Sequence, residues 1–167
     1  MADTTDEFVA QGLKHYPDAM TATAEFRRLV TEKIIGQFRA RTWKAWKPNL
    51  KTMKSNRSES DGCWIGVSTF GSVDGFKSPV RVESGIAWIS SEWDVPRAFE
   101  IDVYSGGDWL SEGLKNPQGK GVTFEKGDPA CLSIEDDSPA PDLDSIFDRL
   151  FTAFDACVAT ATKVRGR

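Results

Sequence analysis

Histidine is nearly absent from this chain: among 167 residues there is one, His15. H-E-x-x-H metal sites need two imidazoles on one helix face, so that chemistry is excluded. A Ser–His–Asp arrangement could draw only on His15, two residues before Pro17, and no G-x-S-x-G elbow presents a serine to it. His15 is read instead as the last residue of a short first helix, where the helix dipole favours a cation. Cysteine is scarce as well. Cys63, Cys131 and Cys157 are odd in number, far apart, and include no C-x-x-C pair. A zinc site would need all three thiols together with His15. Reduced, mostly buried thiols follow, as in a cytosolic protein.

Long apolar runs are missing too. Nothing approaches the ~20 consecutive apolar residues that span a bilayer. The opening Met-Ala-Asp-Thr-Thr-Asp-Glu is acidic and lacks the apolar core of a secretory signal. A cytoplasmic protein without a membrane partner is the expectation. Phosphate-binding glycine loops are also absent. Gly113 to Gly121 spaces its glycines one residue too widely and puts Gly121 where a hydroxyl should hold magnesium. No Asp or Glu is followed two residues later by Lys, which removes a common metal-nuclease signature. Glu135, Asp136, Asp137, Asp142 and Asp144 form a Pro-flanked acidic connector without the spacing of a calcium loop. No cofactor or metal site is therefore expected.

What is present is a full complement for one packed domain. The ten Phe and six Trp argue against disorder. The length suits a single domain, residues 1–167. The net charge of −4 conceals a sharp segregation. Residues 26–57 hold ten Lys/Arg and one acid, whereas residues 58–155 hold seven bases and nineteen acids. This lopsided distribution suits a chain that meets another molecule electrostatically.

The patterning predicts α+β. Residues 1–42 read as helical. A capping box at Thr4 and Glu7 opens a first helix ending near His15, because Pro17 lacks an amide hydrogen. A second helix over about 21–41 turns Phe26, Leu29, Val30, Ile34 and Phe38 inward at helical spacing. Residues 43–62 read as a basic loop or edge strand, with a polar break at 55–62. Residues 63–135 alternate with period two: Cys63–Phe70, Val80–Ile89, Phe99–Tyr104, Val122–Phe124 and Cys131–Ile134 are five strands with one buried face. Residues 141–165 form the clearest helix. Pro141 stands at its first position, and Leu143, Ile146, Phe147, Leu150, Phe151, Phe154 and Val158 make a broad apolar face. The expected architecture is an antiparallel sheet of about five strands packed against the C-terminal helix and a long N-terminal helix, a two-layer sandwich. That arrangement is shared by many small bacterial and viral proteins and carries no function by itself.

The candidate site is the stretch Arg39, Arg41, Trp43, Lys44, Trp46, Lys47, Lys51, Lys54 and Arg57, which contains no acid. Three readings compete for it. It packs on the protein's own acidic sheet with both tryptophans in the core. It docks an acidic protein partner, with Trp and Arg as anchors. Or it binds nucleic acid, cations neutralising phosphates and indoles stacking on bases. The acidic isoelectric point, near 5.1, disfavours the third. Trp93 and Trp109 are further surface candidates. The expected function is a non-catalytic intracellular binding protein, an adaptor, inhibitor or chaperone-like module acting through protein contacts. The alternatives are a nucleic-acid-binding module and an enzyme using carboxylates such as Glu100 and Asp102. Dimerisation through projecting N-terminal helices is a further option.

Overall fold

The computed structural model describes residues 4–51, 53–58, 63–88, 98–105, 119–127 and 129–165. Helix α1 spans Thr4–Ala40. Seven strands follow: β1 Trp46–Pro48, β2 Lys54–Ser58, β3 Cys63–Val73, β4 Val80–Trp88, β5 Ala98–Ser105, β6 Thr123–Glu125 and β7 Ala130–Asp136. Helix α2, Leu143–Arg165, closes the described chain.

The strands make one antiparallel sheet in the order β1–β3–β4–β5–β7–β6. Strand β3 is long enough to hold two short partners on the same edge. β1 pairs with residues 71–73 and β2 with residues 64–68. Among the described residues, seven strands thus fill six positions, where the alternation alone predicts about five. The two additional strands are both edge strands in the basic stretch. Residues 55–58 belong to β2 and are not part of a polar break.

Alternation divides the sheet into two faces. On the inner face lie Val67, Val82, Ile101, Val103, Leu132 and Ile134, all essentially sealed from solvent. Both helices lie on this face, the end of α1 over β3 and β4, and α2 over β5 and β7. α2 forms because its apolar residues recur every three or four positions and a cap stands ready. The Asp142 carboxylate accepts the Ser145 amide at 3.2 Å, and its carbonyl accepts the Ile146 amide. Pro141 therefore precedes the cap instead of opening the helix. Ile146, Phe147, Leu150 and Phe154 are buried to within 1% of complete exclusion.

α1 departs from expectation in two ways. It runs unbroken through Pro17, so His15 lies within a helix and not at its end. An interior proline costs about 3 kcal/mol. Strong helix formers on both sides, Ala10, Leu13 and Lys14 before it and Ala19, Met20, Ala22 and Ala24 after it, carry the helix across. Secondly, only the last turns are packed: Ile34 and Phe38 are buried, while Phe26 is 39% and Leu29 is 51% exposed. The predicted five-residue inward stripe is thus shortened to its C-terminal end, because the sheet reaches no further.

Arg41 fastens the two helices together. Its guanidinium donates to the Gln37 carbonyl at 3.0 Å, the Asp144 carbonyl at 2.9 Å and the Asp148 carboxylate at 3.1 Å. It also lies over the Phe147 ring, 4.9 Å from the centroid. The Arg41 side chain is 13% exposed, but the Asp144 and Asp148 side chains it meets stand 79% and 73% exposed, so the ion pairs are screened by water. Arg41→Ala is expected to cost about 1 kcal/mol by removing the donor to the Gln37 carbonyl in the last turn of α1 and the contact with the Phe147 ring. A urea titration checks this, and an unchanged midpoint would show the bridge to be ornamental.

Candidate functional site

The basic stretch is split between core and surface. Trp46 opens β1 opposite Val73 and is 1% exposed. Its indole stacks on Phe151, centroids 5.5 Å apart and planes within 10°. Trp43 is half-buried, edge-on to Trp46 at 5.0 Å and to Phe151 at 4.5 Å, and donates its indole N–H to the Phe38 carbonyl. Arg41 is engaged with α2, and Lys47 with Asp74. Arg39, Lys44, Lys51 and Lys54 are exposed. Arg57 stands opposite Ile65 in β2. The sequence places these nine residues in one group, but the fold sorts them. Trp46 is withdrawn from any partner's reach, and Arg41 is largely spent on the protein's own acids. A cleft of about 240 Å³ beside them is lined by Arg41, Trp43, Lys44, Asp148, Phe151 and Asp155, among others. Asp155 already accepts the Ala45 amide at 3.2 Å. Trp93 and Trp109 lie outside the described residues.

A second site candidate occupies the outer face of the sheet, opposite the helices. Trp64 lies flat across Gly66 and Gly85, which face each other on β3 and β4. A Cβ at either glycine would collide with the indole and with backbone, so only glycine admits this close approach. The indole N–H donates to Glu100. Register then sets Glu83 opposite Asp102 and Glu100 opposite Glu135. Like charges directly across a sheet repel. Burial, followed by repulsion from Glu100 and Glu83, pushes the Asp102 carboxyl from 3.8 up to about 7, partly offset by a hydrogen bond from Tyr104. Glu100 is raised as well, by burial and then by Glu135. The Cys131 thiol donates to Asp102 at 3.9 Å. Burial and the Asp102 carboxylate push that thiol up to about 12, which keeps it protonated and a poor nucleophile. Arg81 balances part of this charge, 3.6 Å from Glu83 and 4.6 Å above the Tyr104 ring. A carboxyl titrating near neutrality can exchange protons at ordinary pH, which is the property the carboxylate-enzyme reading calls for. Among the described residues, no three His, Cys, Asp or Glu side chains are placed to hold a metal ion.

The third candidate was not singled out by composition. Every side chain of α1 from Val9 to Phe26 is exposed. Val9, Leu13, Tyr16 and Met20 stand 51%, 74%, 63% and 52% exposed on one line of the helix. The signal was legible as a spacing of four, three and four residues. It escapes notice when the helix is ended at Pro17, because the line then lies across two separate segments. Among the described residues, no helix is long and apolar enough to cross a membrane. No family model, no curated protein and no solved structure matches the chain.

Proposed function

We propose that this chain is a non-catalytic binding protein acting through protein–protein contacts, with the projecting half of α1 as its docking element. One observation carries the reading. A helix that extends roughly 35 Å from its first turn to the packed body presents four large apolar side chains to solvent in a continuous row. Burying such a side chain contributes roughly 1.5–3 kcal/mol, and this molecule's own fold collects none of it there. Exposed apolar rows of this kind mark interaction surfaces. The segregated charge steers the encounter, acidic at the start of α1 and basic beyond residue 26.

The test is recovery of tagged chain from its host in parallel with and without nuclease treatment. A bound protein that is retained, and that is lost on Leu13→Glu with Met20→Glu, supports the reading. Recovery of nucleic acid alone would overturn it. That second reading is favoured only by exposed Arg39, Lys44, Lys51 and Lys54. Its signature is affinity falling steeply with salt, by about one log unit per log salt for each phosphate contacted.

A further inference from the structure

We infer that the partner seated on α1 is a second copy of the same chain, its α1 packed antiparallel against the first. This rests on the docking role assigned to α1 above. Three features of the helix converge on it.

The first is the shape of the face. Val9, Leu13, Tyr16 and Met20 continue, at alternating steps of four and three, through Thr23 and Arg27 to Val30 and Ile34. Val30 and Ile34 are packed on the body, Ile34 at 1% exposure. One seam with the 3.5-residue period of paired helices is thus occupied at its C-terminal end and bare at the other. The positions flanking the bare part are Ala10, Gly12, Pro17, Ala19, Ala24 and Phe26. They are uncharged and mostly small. The charged residues of this segment, Lys14, Asp18 and Glu25, all fall on the back of the helix, with His15 beside them. A face bounded by small residues admits another helix at close range.

The second is charge. Residues 1–25 carry a net −4, with Asp6 and Glu7 in the first turns, whereas Arg27 and Arg28 mark the start of the basic region. In an antiparallel pair centred near Tyr16, each acidic beginning lies beside the partner's Arg27, whereas Arg28 is held by Glu25 and Glu32 of its own helix at 2.7 Å each and Glu7 shares the back of the helix with Glu25. A parallel pair would set acid against acid and base against base. The antiparallel arrangement also opposes the helix dipoles favourably. It is two-fold symmetric and closes on itself as a dimer.

The third is the proline. Helices in proteins draw most of their stability from packing, and short uncovered helices are marginal in water. The bare segment contains Pro17, which removes a hydrogen bond at its centre. A covering helix supplies the contact that the body of this molecule does not.

Sedimentation equilibrium on the full chain tests the proposal. The expected species is a dimer of about 37 kDa, twice 18.5 kDa. Leu13→Glu or Met20→Glu is expected to weaken self-association by about 100-fold or more, because a carboxylate is forced into apolar contact. Far-UV circular dichroism should then report lost helix while near-UV signals of the body persist. Gln11→Glu, on the back of the helix, should leave the dimer intact. Asp6→Lys should weaken the dimer, and adding Arg27→Glu should restore it, a rescue that a parallel pair would not show. A monomer at all micromolar concentrations overturns the proposal. If that monomer still captures another protein through Leu13 and Met20, the docking reading stands and only the second copy is removed. If neither self-association nor capture responds to the seam, both fail.

Discussion

Trp46→Ala is expected to destabilise the protein by about 3–5 kcal/mol, the range for emptying a sealed aromatic site. The indole fills the junction of three elements. It stacks on Phe151 of α2, meets Phe38 of α1 edge-on at 6.2 Å, and sits against Gly71 of β3. A Cβ at position 71 would enter the indole ring, so this contact is closed on that side and cannot relax by side-chain rotation. For a chain of this size the melting temperature should fall by roughly 6–20 °C. Trp43→Ala, at a half-buried ring, should cost clearly less. Thermal and urea denaturation of both variants decide the matter. Equal and small effects would mean that Trp46 is not a core residue. The same pair separates core from docking roles, since a Trp46 variant that loses a partner does so together with its fold.

The second large effect concerns pH. In the unfolded chain Asp102 titrates near 3.8, and in the folded protein at about 7. The folded state therefore holds its proton more tightly. The stability associated with that proton is fully present below about pH 4 and is lost as pH rises through 7. Above 7 the carboxylate is ionised beside Glu100 and Glu83 in a half-buried setting. The interval corresponds to at most about 4 kcal/mol. Residual solvent contact screens it, so about 1–2 kcal/mol is the expected size. Asp102→Asn keeps the shape and removes the charge. It is expected to be more stable than the parent at pH 8 by that amount and no more stable at pH 4. Denaturant midpoints for both proteins across this range give the difference. A difference that is constant with pH would show that Asp102 does not titrate as described.

The C-terminal helix was legible because its signal is local. Seven apolar residues at helical spacing admit one reading, although the sequence sets Pro141 at the first helical position and only the structure shows Asp142 as the cap. The β strands over 63–88, 98–105 and 130–136 were legible for the same reason: the alternation of Phe99, Ile101 and Val103 with Glu100, Asp102 and Tyr104 states which side is buried. The basic stretch was harder. Trp43 and Trp46 look alike in sequence, three residues apart amid lysines. Their fates differ because β1 pairs with residues 71–73 and turns Trp46 onto the helix side of the sheet.

Local periodicity, capping and composition were enough to settle that this is an α+β chain, which strand faces are apolar, and that charge is segregated along its length. These are properties of neighbours in the chain, within reach of 3.6- and 2-residue periods. Tertiary contact alone decided that Trp46 is sealed, that Arg41 is spent on α2, that four carboxylates from β4, β5 and β7 converge on one face, and that the sheet ends before it can cover the first half of α1. Each of those depends on pairing between residues tens of positions apart, and no local pattern records how far a surface extends.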